Sequence, residues 1–157
     1  MSEKITTCLW FDTEGEEAAE FYCSVIPRSR VTGVQRYGEA GPGEPGRVMT
    51  VEFELDGRPY VALNGGPHFR FNEAVSFQVA CADQDEVDHY WSTLSDGGEE
   101  GPCGWLKDRY GLSWQVVPTA LPQLLADPDP ERAQRAMKAM MSMRKLDIAG
   151  LQAAADG

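Results

Sequence analysis

One order of elements occurs twice in this chain. "ITTCLWF" (5–11) is β-branched and aromatic, as strands are. The stretch "DTEGEEAAEFYCSVI" after it opens on capping residues and acids, and sets Ala18, Phe21, Tyr22 and Val25 at helical spacing. Pro27 ends that helix. "RVTGVQRYG" (30–38), "RVMTVEFEL" (47–55) and "PYVALN" (59–64) read as strands, with "DGR" as the hairpin turn between the last two. The order then begins again. "AVSFQVAC" (74–81) is a strand, and "ADQDEVDHYWSTLS" is a helix with Val87, Tyr90, Trp91 and Leu94 on one face. "GGEEGPCGWLKDRYGLSWQVVP" (97–118) supplies a turn and two strands around "DRYG". A shift of 68 residues lays Cys8 on Ser76, Tyr22 on Tyr90 and Ser24 on Ser92. Identities are few; it is the order of elements that repeats.

Two such modules can pack their sheets side by side as a curved, half-open mixed sheet with helices outside. The expectation is an α+β fold in a single domain, 1–157, with module one at 4–65, module two at 74–118 and a helical tail at 119–157. In the tail, Pro130, Glu131 and the basic residues near 144 are helix signals. Ala133, Met137, Met140, Met141 and Arg144 fall on one face, which predicts packing against the domain or a partner chain.

The charge balance narrows the partners. Twenty-five acidic residues against 14 basic ones give a net charge of -11, so phosphate backbones and anionic lipid are repelled. No apolar run has the length of a membrane span, and the N-terminus lacks a basic region followed by an apolar one. A cytoplasmic protein without nucleic-acid or membrane partners is predicted. The cysteines (8, 23, 81 and 103) form no C-x-x-C pair, and Cys8 and Cys81 in strand segments read as reduced core thiols.

The motifs "LWFD" (9–12), "EAAEFY" (17–22), "ALNGGPHFRFNEAVSFQVAC" (62–81), "DHYWSTLSDGGEEGPCGWLKDRYGLSWQVVP" (88–118) and "AMKAMMSMRKLDI" (136–148) together span nearly the whole chain. With the βαβββ order, they resemble the PhnB-like group of the vicinal oxygen chelate superfamily, which also holds glyoxalase, bleomycin-resistance and extradiol dioxygenase proteins. PhnB-like proteins often carry the label "3-demethylubiquinone-9 3-methyltransferase-like". The resemblance implies the glyoxalase/bleomycin resistance fold, a site on the concave sheet face, and a homodimer. It does not imply one reaction. Methyl transfer is disfavoured on physical grounds. A methyl donor usually sits on a Gly-rich strand-to-helix turn, whereas "GPGEPG" (41–46) joins two strands and opens no helix.

Metal-dependent members of the superfamily take His, Glu or Gln ligands from the first and last strands of each module. At the matching positions this chain offers Thr7 or Cys8, Ala62 or Asn64, Ser76, and Gln115. That set has no histidine and no carboxylate, so no metal and no other cofactor is predicted. The ligand-binding set keeps Asn64 from those superfamily positions; period-two alternation adds Cys8 with Trp10, Ser76 with Gln78 and Ser113 with Gln115, and Trp105 and Tyr110 lie near the second hairpin. Aromatic rings beside amides and hydroxyls suit a small molecule. The expected function is small-molecule binding; a glyoxalase- or dioxygenase-like enzyme on a small substrate is the alternative, and catalytic residues are not identifiable. His68 lies in the crossover "GGPHFRFNE", where Phe69 and Phe71 are expected to seal the core while His68 and Arg70 face solvent.

Overall fold

The computed structural model describes residues 3–157, which divide into two compact units. The first ends at Phe71 and the second runs from Asn72 to Gly157. In the first, β1 (Thr7–Phe11) leads into α1 (Gly15–Val25), followed by β2 (Arg30–Arg36), β3 (Val48–Leu55) and β4 (Arg58–Asn64). In the second, β5 (Ser76–Cys81) leads into α2 (Gln84–Ser95), followed by β6 (Glu99–Glu100), β7 (Trp105–Lys107) and β8 (Ser113–Pro118). The sheets have the same order, β1-β4-β3-β2 and β5-β8-β7-β6. In each, the outer strand before the helix pairs in parallel with the last strand, and the remaining pairs are antiparallel. A parallel pair needs a long crossover, and the helix is part of that crossover in both modules. The fold is α+β: two βαβββ modules with four-stranded mixed sheets, then helices α3 (Ala120–Leu125), α4 (Pro130–Met141) and α5 (Ile148–Asp156). Among the described residues, no helix is long and apolar enough to cross a membrane.

Alternation along the strands decides which face is covered. Leu9 and Phe11 of β1, Val51, Phe53 and Leu55 of β3, and Ala62 of β4 are buried in the first unit with Ala18, Ala19 and Tyr22 of α1. The equivalent core of the second unit takes Cys81, Leu106, Trp114 and Val116 with Val87, Tyr90, Trp91 and Leu94 of α2. The "DG" turn forms as its sequence requires, with Asp56 (φ 50°) and Gly57 (φ 78°) both left-handed.

Helix starts show how local and distant signals compete. Asp83 caps α2 by accepting from the Glu86 N–H at 2.9 Å, and Glu86 reaches back to the Ala82 N–H at 2.9 Å. At α1 the acids Asp12 and Glu14 do not cap the helix. The Gly15 N–H donates instead to Asn64 Oδ1, 2.8 Å away at the end of β4. The first helix therefore starts at residue 15, two residues later than a cap at Asp12 would set it.

Two expectations about packing change. Phe69 and Phe71 do not share a side. Phe71 packs edge-on against buried Phe11, at 5.3 Å between centroids, while Phe69 stays 65% exposed against Trp10 at 4.9 Å. Trp10 and Phe11 are successive residues of β1, so the two phenylalanines dock on rings of opposite faces. In the tail, α4 buries Ala136, with Ala139 and Met140 packed beside it, and leaves Met137 and Met141 exposed. The core-facing stripe thus lies to one side of the methionine stripe, because small Ala136 permits close approach to the buried Leu146, Leu151 and Ala155.

Candidate functional site

Sheet register places five of the nine ligand-binding candidates on one surface. In the second unit, Ser76 is in register with Ser113, and Ser113 with Lys107. One step along, Gln78 is in register with Gln115, and Gln115 with Trp105. These two rows cross the face turned away from α2, since Phe77, Trp114 and Leu106 alternate onto the other side. Gln115 Nε2 donates to Ser76 Oγ at 2.9 Å, and Gln78 Nε2 donates to Gln115 Oε1 at 3.3 Å. The Gln115 amide is therefore fixed by both its ends. Ser113 is fully buried, and its Oγ has no hydrogen-bond partner among the described residues. A buried hydroxyl left unpaired costs about 1–3 kcal/mol, so this one stands out against an otherwise satisfied surface.

At the end of the first row, Lys107 forms an ion pair with Glu73, which holds the lysine above its ordinary pKa and the carboxyl below its own. Arg109 pairs with Asp96 at 3.3 Å. Between them in sequence lies a carboxylate. Asp108 is buried: its Oδ1 accepts the Tyr110 and Leu112 N–H groups at 2.8 and 3.1 Å, and its Oδ2 accepts the Trp114 indole N–H at 2.9 Å. Tyr110 sits in the turn that Asp108 closes, half-buried and off the strand rows. No residue spacing within "KDRYG" announces this brace; the tryptophan six positions on is its only sequence trace.

In the first unit, Cys8 and Trp10 alternate onto the face away from α1, as the period-two reading expects. Cys8 is not a core thiol, however: it is exposed, whereas Cys81 is fully buried. Desolvation by its neighbours nevertheless pushes the Cys8 thiol above its ordinary pKa, which disfavours the thiolate a metal would need. Trp10 Nε1 donates to Gly66 O at 2.9 Å. Asn64 departs from the expected face, because it has the parity of buried Ala62. Its amide is engaged at both ends, accepting from Gly15 N–H and donating to Val48 O at 3.1 Å.

The donor set does not fit a transition metal. Among the described residues, no three His, Cys, Asp or Glu side chains come together in a way that could hold an ion. Gln115 and Asn64, the amides at superfamily ligand positions, are already bonded, Gln115 to Ser76 and Gln78 and Asn64 to Gly15 N–H and Val48 O.

Comparison with known proteins agrees with this fold. Residues 3–117 match the model of the family described as 3-demethylubiquinone-9 3-methyltransferase. The PhnB protein from Bacillus cereus is 33% identical in sequence, aligns over 74% of this chain and 100% of its own, and superposes with a TM-score of 0.67. Protein PA1353 from Pseudomonas aeruginosa shares the fold at 17% identity over 74% of this chain and 98% of its own, with a TM-score of 0.61. So does the fosfomycin resistance protein FosX from Mesorhizobium loti, at 12% identity over 80% of this chain and 98% of its own, with a TM-score of 0.54. No curated protein matches by sequence. With the repeated βαβββ order and the family match over both sheets, the chain belongs to the PhnB-like 3-demethylubiquinone-9 3-methyltransferase family and has the fold of the vicinal oxygen chelate superfamily.

Proposed function

We propose that this protein binds a small molecule on the α2-distal face of its second sheet, without a resident metal. Ser76, Gln78, Ser113 and Gln115 supply hydrogen bonds in this reading, and Trp105 supplies an aromatic wall at the end of the second row. The observation that carries it is Ser113 Oγ, a fully buried hydroxyl with no partner beside a fixed chain of amides. A ligand carbonyl or hydroxyl would satisfy it, and the fixed Gln115 amide would orient that group at little entropic cost. Cys8 and Trp10 stand at the matching positions of the first sheet, and a ligand contact of that sheet's own is assigned to them on that correspondence. Asn64 and Tyr110 are given supporting roles, because the Asn64 amide and the Tyr110 backbone already serve the fold.

Methyl transfer forms no part of this reading, despite the family's description. The Gly- and Pro-rich stretch at 41–46 joins β2 to β3 and opens no helix, so it offers no Gly-rich helix start for a methyl donor. A homodimer is proposed with the binding role, supported by the exposed Met137 and Met141 of α4.

Thermal-shift screening of a small-molecule library tests the binding face. Wild-type protein is expected to give stabilising compounds. Ser113→Ala should not destabilise the unliganded fold and should stabilise it by up to about 1–3 kcal/mol, since it removes an unpaired buried hydroxyl. Paired with Gln115→Leu, it should abolish the shift caused by those compounds. Compounds that stabilise the double variant as well as the wild type would place the binding face elsewhere.

A further inference from the structure

The connection from β2 to β3 contains "YGEAGPGEPGRV" (37–48). Its neck is closed by backbone bonds from Tyr37 N–H to Arg47 O and from Gly46 N–H to Tyr37 O, both 2.8 Å. The Tyr37 ring lies against Gly43 so closely that a Cβ there would come within 2.4 Å of it. Its hydroxyl donates to Asn64 O at 2.6 Å. Gly65 is pressed on Trp10 in the same way, with 2.3 Å to an added Cβ, and its N–H donates to Phe11 O at 2.9 Å. The ring, the loop and the exit of β4 are therefore fixed relative to one another. Together with the start of α1 they enclose a cavity of about 500 Å³, in the range of small-molecule sites.

The walls divide by chemistry. Tyr37, Pro42, Val48 and Pro67 are apolar or aromatic surface. The fixed charges are Asp12, Glu16 and Glu44 against Arg47. Arg47 is paired with Glu44 at 2.8 Å, which leaves Asp12 and Glu16 without a hydrogen bond or ion pair among the described residues. A helix N-terminus would ordinarily draw an anion, but here Asn64 Oδ1 takes the Gly15 N–H and Glu16 and Glu17 occupy the first turn. An anion entering this space would meet carboxylates. A bare divalent ion would find two of them in a space much larger than its coordination shell.

We propose that this cavity, separate from the face assigned above, binds a small organic cation: a protonated amine on an apolar or aromatic body. The amine sits between Asp12 and Glu16, and the body lies along Tyr37 and the two prolines. An ammonium over the tyrosine face adds a cation–π attraction. His68 and Thr13 bring hydrogen-bonding groups to the rim.

Phenethylamine, 2-phenylethanol and phenylacetate share one body and differ in charge, so ¹⁵N–¹H NMR titration with the three tests the claim. Phenethylamine is expected to shift the amides of 12–16, 37, 64–66 and 68 saturably, and to bind at least roughly tenfold more tightly than the alcohol. Phenylacetate should give no saturable shift in these residues. Asp12→Asn combined with Glu16→Gln should weaken phenethylamine by roughly tenfold or more, while Asp85→Asn, an exposed acid on α2, should leave it unchanged. Absence of saturation, equal binding of the acid and the amine, or indifference to the double variant would each overturn the proposal.

Discussion

Replacing Asp108 with alanine is expected to lower the unfolding free energy by about 4 kcal/mol, measured by denaturant titration. The carboxylate accepts three hydrogen bonds, from the Tyr110 and Leu112 backbone and from the Trp114 indole. Leu112 and Trp114 are 1% and 2% exposed, so water cannot replace the lost acceptor at either. A hydrogen bond to a charged group contributes about 1.5–3 kcal/mol, and stranding its donor adds the cost of desolvation. The three are coupled through one side chain, so the sum is an upper limit. Asp108→Asn separates the contributions. Its carbonyl can still accept the two backbone N–H groups, while its amide nitrogen faces the indole donor, so about half the loss is expected. A loss below about 1 kcal/mol for Asp108→Ala would mean that the turn holds its shape without the brace.

Leu146→Ala is expected to cost about 3 kcal/mol, with an unchanged denaturant slope. Leu146 is fully buried in the cluster formed by Leu121, Leu124, Ala136, Leu151 and Ala155. The segment around it is tied to the second sheet's own unit by backbone bonds from Cys103 N–H to Met143 O and from Gly104 N–H to Arg144 O, both 2.8 Å. From α2, Gln84 donates to Leu146 O at 3.0 Å and accepts from Ile148 N–H at 2.9 Å. The surroundings are therefore pinned and cannot collapse into the cavity left by alanine, which puts the cost in the middle of the range for buried leucine. Gln134→Ala, on the exposed side of α4, serves as the control and should change stability by less than about 0.5 kcal/mol. If the two variants melted alike, the tail would contribute nothing to the stability of its unit.

Much of this was legible in the sequence, for a specific reason. The α2-distal face of the second sheet could be read because Ser76, Gln78, Ser113 and Gln115 alternate strictly with Phe77, Val79, Trp114 and Val116, and a buried face leaves only one register. The repeat of element order was legible for the same reason, carried by two amphipathic helices and their flanking strands. What escaped depends on contacts across long sequence separation. Asn64 caps a helix that starts 49 residues before it, so no local pattern assigns it that task or takes it off the ligand face. Asp108 is a shorter-range case: its indole partner Trp114 stands on the strand beyond the turn, and no local pattern pairs the two. Period two also failed in the crossover. Residues 65–75 are not a strand, so Phe69 and Phe71 are free to turn toward rings on opposite faces. On α4, three methionines in five residues drew attention to the wrong stripe, since close helix packing selects the small Ala136 rather than the larger apolar side chain.

Native mass spectrometry of the protein purified without chelator from its producing cells tests metal-free ligand binding most directly, because one spectrum reports metal, retained small molecule and subunit number. The expected spectrum shows an assembly of twice the 17.3 kDa chain mass that releases an organic molecule on collisional activation and carries far less than one transition-metal ion per chain. Stoichiometric zinc, nickel, manganese or iron with no organic ligand would contradict it, and would return the chain to metal-dependent chemistry of the glyoxalase kind.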